Sequence, residues 1–322
     1  MPVRAFLYDS IDEDRVVELT TECISGLTEQ HLMWIDLSDY EEAEMHLVAE
    51  VLSLAPEAVR NLKHQLRRPR LDIYGDYFHI NVTAIRDEDS AFHTCELDFI
   101  VGHNYVLTAH RDAVMFLQNF SDQVKGDSQV GKLETAALLS ALLDWFLTDY
   151  FRAIERFEGD VDTLEAMALR FRSDRDMLTQ LVSQRRRASQ IRRALGPHRE
   201  VFAALARADI HTLAASSNAS AFRTLNDRLE RALESVDTAR DLIIGTFDIF
   251  ATQTTQRTNH TIKLLTLVSV VLMPASVITG LMGMNFHTRL YESGERGFWT
   301  VVGCIIAISA TTLLVAHKNK WI

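Results

Sequence analysis

The sequence predicts an α+β domain, built on a small and mostly antiparallel sheet carrying helices, then long helices, then two transmembrane helices at the C-terminal end. Three observations carry this. Strand-like alternation is confined to about the first 125 residues. The stretches 133–172 and 175–205 are charge-rich and nearly free of Gly and Pro, as long helices require. Two charge-free apolar runs, Leu264–Phe286 and Phe298–Ala316, close the chain, and the first is long enough to cross a bilayer core of about 30 Å as one helix.

In chain order, Trp34–Leu37 is a short strand, and Glu41–Leu54 follows with helical spacing of Met45, Leu47, Val48, Val51 and Leu52. Tyr77–Ile85 is the clearest strand. Phe78, Ile80, Val82 and Ala84 alternate with His79, Asn81 and Thr83, which predicts one buried face. Gly75-Asp76 turns it back on Leu71–Tyr74 as a hairpin. Leu97–Val101 and Tyr105–Thr108 make a second pair around Gly102-His103-Asn104.

Gly196-Pro197 interrupts the second long helix. Arg185, Arg186, Arg187, Arg192 and Arg193 form a basic cluster on it, which solvated faces and interhelical ion pairs explain. From Ala219 a single pattern runs unbroken to Leu281, roughly 95 Å as one helix. Leu225, Leu229, Ala232, Val236, Ala239, Ile243, Phe247 and Phe250 recur at three- and four-residue steps, which reads as a self-associating seam. A symmetric oligomer of identical chains around a central pore is the expected assembly. Asp227, Glu230, Glu234 and Asp237 are acidic positions on the same stretch.

Stepping at heptad spacing through the first apolar run gives Asn259, Ile262, Thr266, Ser269, Met273, Ser276 and Gly280. Five of these seven are polar or small, whereas Leu264, Leu267, Val271, Ile278 and Leu281 occupy the other sides. Membrane helices pack closely through Gly and Ser, so the stripe fits helix packing as well as an axial water path. Pro274 removes a backbone donor and crowds the carbonyl of Val270, which predicts a bend. Ahead of the run, Thr252–Thr261 (TQTTQRTNHT) is rich in hydroxyls and amides and holds no carboxylate, as the wall of a wet neck would.

The run ends on Gly283-Met284-Asn285, followed by a short loop, a second apolar helix and a basic tail containing Trp321. In this the chain resembles the CorA family of divalent-cation transporters. RPRLDIYGDYF, NYVLTAHRD and RRALGPHREVFAAL resemble that family further upstream. The resemblance implies a homopentamer with Gly283, Met284 and Asn285 as selectivity motif, and Leu265 and Met273 facing the axis as an apolar gate beside Pro274. The chemistry is coherent, because Mg²⁺ prefers six oxygens and sheds water reluctantly. A ring of Asn285 amide oxygens would hold the ion through its hydration shell. Gly283 would let the backbone turn without a Cβ clash.

Departures from the family pattern leave the ion open between Mg²⁺ (with Co²⁺ or Ni²⁺) and Zn²⁺. Met282 stands where an aromatic is usual, and the loop HTRLYESGERG lacks MPEL. In that loop Glu292 and Glu295 are balanced by Arg289 and Arg296, and His287 is a candidate zinc ligand. Thr279-Gly280-Leu281 and GPHREVF lean toward the zinc-transporting ZntB branch, where proton coupling becomes an alternative.

Other classes fit less well. The net charge of −11 argues against a nucleic-acid partner. Gly126–Lys132 matches the start of a nucleotide P-loop, but Leu133 replaces the hydroxyl that should hold Mg²⁺, so neither nucleotide nor an ATP-driven pump is expected. No enzymatic activity and no resident cofactor are expected, the divalent cation being cargo. Cys23, Cys95 and Cys304 are too far apart for a ligand set and read as reduced thiols. The N-terminus MPVRAFLYDSIDED shows no signal-peptide pattern. Arg257 and Lys263 before the first span, with Lys318 and Lys320 after the second, place both termini in the cytosol of a multi-pass inner-membrane protein. The expected boundaries are 1–130 for the α/β domain, 131–218 for long helices and 219–286 for stalk plus first span. The loop is then 287–297, the second span 298–316 and the tail 317–322. A membrane-tethered sensor or scaffold, whose spans only anchor, is the reading from another class.

Overall fold

Seven strands and nine helices are present among the residues described by a computed structural model, which are 3–9, 14–28, 30–63, 68–88, 91–124, 134–169, 175–207, 219–284 and 294–318. The strands are β1 (Val3–Asp9), β2 (Arg15–Val17), β3 (His31–Ser38), β4 (Arg70–Tyr74), β5 (Tyr77–Glu88), β6 (Ala91–Val101) and β7 (Tyr105–His110). They form one sheet in the order β2-β1-β3-β7-β6-β5-β4. Only the β3–β7 pairing is parallel, so the sheet is mixed and mostly antiparallel, as expected. Both expected hairpins exist, and Gly75, at φ 56°, sits in the turn between β4 and β5, a conformation that glycine tolerates best.

The expectation of one buried face on β5 is corrected. Phe78, Ile80, Val82 and Ala84 are buried, but so are His79, Asn81 and Thr83. The reason is a layer of helices on each side of the sheet. On one side α2 (Glu42–Val51) and α3 (Pro56–Lys63) contribute Met45, Val48 and Leu62 to a core with Met33, Ile35, Leu37, Ile100 and Leu107. On the other, Trp34 stacks on Phe6 at 5.3 Å and meets the edge of Phe120, from α4 (Met115–Val124), at 5.4 Å. A strand covered on both sides buries its polar row along with its apolar one. The small helix α1 (Thr21–Ser25) is capped by the Thr20 hydroxyl.

The long helices are α5 (Thr135–Leu169), α6 (Arg175–Leu195), α7 (His198–Ala206) and α8 (Ala219–Met282), followed by α9 (Glu295–Lys318). The α6–α7 break falls at Gly196-Pro197: Gly196 N–H still bonds the Arg192 carbonyl at 2.8 Å, a Cβ there would lie 2.9 Å from that oxygen, and Pro197 has no N–H to continue the helix. The second apolar helix begins at Glu295, three residues before the expected Phe298, so Glu295 belongs to a helical first turn where its charge suits the helix dipole. The chain falls into two compact units, one of Met1–Met167 with Asp174–Thr246 and one of Ala168–Ser173 with Phe247–Ile322.

Within the first unit the supposed self-associating seam is largely spent. Leu225, Leu229, Ala232, Val236, Ala239 and Ile243 are buried in the single chain, while Phe247 remains 45% exposed. Ion pairs align the stalk with its own helices. Arg192 pairs with Asp237, Arg228 with Asp144, and Arg199 grips Glu230 through bonds of 2.6, 2.8 and 3.0 Å. Arg187 reaches Asp160 at 2.7 Å, so part of the basic cluster is interhelical pairing.

His198 ties α7 to the sheet. Its Nε2 accepts from the Thr83 backbone N–H at 3.0 Å and its Nδ1 donates to the Leu195 carbonyl at 3.1 Å. Burial among Phe146, Tyr150 and Phe202 pushes its pKa down to about 4 from the usual 6.5. Between those values protons prefer the unfolded chain, so stability is lost as pH falls through this window. His198→Gln cannot take up that proton. Its stability loss between pH 7 and 4.5 is expected to be ~2–3 kcal/mol smaller than the parent's. Tryptophan-monitored unfolding of both chains in detergent checks this, and parallel pH profiles would refute it.

Candidate functional site

The second unit holds the two helices that are long and apolar enough to cross a membrane, α9 and the C-terminal part of α8, and neither apolar window is buried within the chain. Cover on this part of α8 is partial and falls on one stripe, Leu267, Val271, Pro274, Ala275, Ile278 and Met282. On α9 it falls on Gly297, Val301, Val302, Ile305, Ser309, Thr312 and Ala316. The expected path residues Asn259, Ile262, Leu265, Thr266, Ser269, Met273, Ser276 and Gly280 are all exposed. At about 100° per residue, the centre of that stripe lies about 180° around α8 from the covered one. The small and polar residues are therefore not the seat of the packing seen within this chain. They form the face opposite it.

The hydroxyls on this face have a defined polarity. Ser269 Oγ donates to the Leu265 carbonyl and Ser276 Oγ to that of Leu272, each at 2.9 Å. In the neck, Thr254, Thr255, Thr258 and Thr261 donate to the carbonyls of Phe250, Ala251, Thr254 and Arg257 at 2.9–3.0 Å. With its proton tied into the helix, each hydroxyl presents only lone pairs outward. Water around a cation points its hydrogens away from the ion, so such a wall meets a hydrated cation as a set of acceptors. Carboxylates are absent from 252–261, and the wall would therefore guide without trapping.

Pro274 sits inside α8 without ending it. The helix stops at Met282, where Gly283 N–H bonds the Thr279 carbonyl at 2.9 Å and Met284 N–H that of Leu281 at 3.2 Å. A Cβ at Gly283 would make ordinary 3.5 Å contacts, so the helix end itself does not demand glycine there. Asn285, His287 and Glu292 lie outside the described residues, as does the P-loop-like stretch Gly126–Lys132. Glu295 is exposed at the start of α9, beside Phe298 and Trp299, which are 60% and 66% exposed, as suits aromatic side chains at a membrane interface. Among the described residues no group of three or more His, Cys, Asp or Glu is placed to hold a metal ion. Cys23, Cys95 and Cys304 are free thiols.

Sequence reasoning missed the partners of the stalk acids Glu230 and Asp237. The signal was present in the arginines of α6 and α7, but only the fold shows that they reach the acids of α8, in pairs that stay about half exposed.

A sequence profile described as CorA-like Mg²⁺ transporter protein matches residues 29–318. A cobalt/magnesium transport protein CorA from Thermotoga maritima is 24% identical over 294 residues, covering 90% of this chain and 83% of that one. A zinc transport protein ZntB from Photorhabdus laumondii is 26% identical over 294 residues, covering 88% and 86%. The complete structure of the CorA magnesium transporter from Methanocaldococcus jannaschii superposes with a TM-score of 0.83 at 20% identity, over 100% of this chain and 99% of that one.

Proposed function

This chain belongs to the CorA-like Mg²⁺ transporter family, and from that membership we propose that it moves divalent cations across a membrane along the exposed face of α8. The observation that carries the reading is the opposition of two stripes on one helix. One side of the span is partly covered, and the opposite side presents Asn259, Thr266, Ser269, Ser276 and Gly280 with hydroxyl lone pairs outward. Such a face is poorly suited to lipid and well suited to water. Copies of it around an axis make a pore wall, five by the family resemblance, with Gly283-Met284-Asn285 closing the outer end. In this arrangement Leu265 and Met273 form the apolar gate, and His287, Glu292 and Glu295 belong to the outer mouth. With the seam above Ile243 buried inside the chain, self-association rests on the membrane helices and on Leu242, Ile244 and Phe247, which are 41–45% exposed.

Mg²⁺, with Co²⁺ or Ni²⁺, is the proposed cargo. A ZntB-like zinc transporter, with proton coupling, is the second reading; the 26% identical zinc-transport relative and His287 beside the motif favour it. We place both termini in the cytosol of the inner membrane, with loop 287–297 outside. Purified protein in liposomes, compared in parallel for Mg²⁺, Zn²⁺, Co²⁺ and Ni²⁺ flux, tests the reading. Mg²⁺ flux exceeding Zn²⁺ flux supports the first cargo, the reverse supports the second, and no flux of any ion leaves only a membrane-anchored scaffold. A cysteine at Ser293 in the same preparation is expected to label only from the side opposite the α/β domain.

A further inference from the structure

The polar row hidden under the sheet does work that the cation path does not use. By register, His79, Asn81 and Thr83 of β5 face Ile100, Asp98 and Glu96 of β6. Asp98 Oδ1 lies 2.7 Å from His79 Nε2 and accepts from the Asn81 amide at 2.9 Å, with all three side chains buried. Two neighbouring acceptors, Glu96 Oε2 and Asn81 Oδ1, are buried with no hydrogen-bond donor among the described residues. A buried acceptor without a donor is costly, and two beside the Asp98 carboxyl group are more so. One added proton on Glu96 removes an orphaned acceptor and a like charge together.

Glu96 also lines a cavity of about 310 Å³ between the sheet and α6, where Arg193, Gln190 and Pro197 form the facing wall. The Arg193 Nε donates to the Ser189 carbonyl at 3.1 Å, and no ion pair joins Arg193 to Glu96 among the described residues. We propose that Glu96 is a proton-binding site that reports pH to α6: protonated, its carboxyl rests neutral beside Asp98, and on losing the proton to water its carboxylate pairs with Arg193 across the cavity. Asp98 from its own strand and Asn81 from β5 act on it, and Arg193 of α6 lines the same cavity. Cys95 of β6, Tyr150 of α5 and His198 of α7 are further titratable neighbours among the described residues. Cys95 and Tyr150 are neutral at physiological pH because burial raises both, and His198 is neutral because burial lowers it. Burial first, then the charge of Asp98, holds the Glu96 carboxyl at about 7, against the pull of the Asn81 hydrogen bond.

Infrared spectra of the full chain in detergent test it directly. The carbonyl band of a protonated carboxylic acid is expected at pH 6, lost by pH 8.5, and missing at both values from Glu96→Gln. Arg193→Gln should move the transition up and Asp98→Asn should move it down, each by roughly one pH unit. A parent band already lost at pH 5, or one unchanged in Glu96→Gln, overturns the proposal. If Glu96→Gln does not fold, the shift in Arg193→Gln decides: an unmoved transition rejects the Arg193 pairing and with it the switch.

Discussion

Replacing Asn285 by alanine is expected to abolish selective divalent flux while leaving the oligomer assembled. The residue follows α8, which ends at Met282, so the truncation leaves the helix itself intact. In the proposed pore, what it removes is a ring of amide oxygens. Mg²⁺ keeps its water shell, so selection must act on the shell, and each amide oxygen in the ring accepts from one of its waters. In a pentamer, as proposed, five such contacts at roughly 0.5–1.5 kcal/mol each would correspond to a loss on the order of a hundredfold or more. Flux into liposomes, with the mass of the detergent-solubilised complex measured alongside, separates the effects. Parental flux in Asn285→Ala would remove the motif from the mechanism. An assembly reduced to monomers would show that Asn285 is structural.

Much of this architecture was legible because the solvent imposes it. A run without charge from Leu264 to Phe286 has few uses other than a membrane, and α8 indeed continues through it to Met282. The hairpins around Gly75 and Gly102 were legible because turns demand particular residues. The buried side of β5 that carries His79 and Asn81 was not, since alternation reports only that two faces differ, and a hydrogen-bonded polar face survives under a helix. The stalk failed in an instructive way. Apolar residues at three- and four-residue steps require a partner helix but do not name it, and Leu225 to Ile243 find theirs within the same chain. The stripe from Asn259 to Gly280 could be read because polarity, not burial, marks it. Which neighbour lies behind α8 could not, because the partly covered residues Leu267, Val271 and Ile278 are as apolar as any lipid-facing set.

Shortening or wetting the apolar pair on α8 should have the opposite effect to removing Asn285. Leu265 and Met273 are 67% and 66% exposed, the most exposed large apolar side chains of α8, so neither buttresses the single chain. Their cost is instead that of apolar surface facing water or lipid, which self-association would relieve. In the proposed pore they would close the path by dewetting, since a narrow apolar ring is a poor host for a continuous water column. Leu265→Ala widens that ring and Met273→Ser supplies hydroxyls to it, so leak in the absence of a gating signal is expected to rise on the order of tenfold, equivalent to about 1.4 kcal/mol off the barrier. Leu314 of α9, 70% exposed, provides the comparison, because Leu314→Ala removes similar apolar surface from the second span, away from the candidate path. Passive flux of the three variants in matched liposomes decides the matter. Should Leu314→Ala leak as much as Met273→Ser, the effect is loosened packing against lipid; should neither α8 variant leak, the ion does not travel along this face.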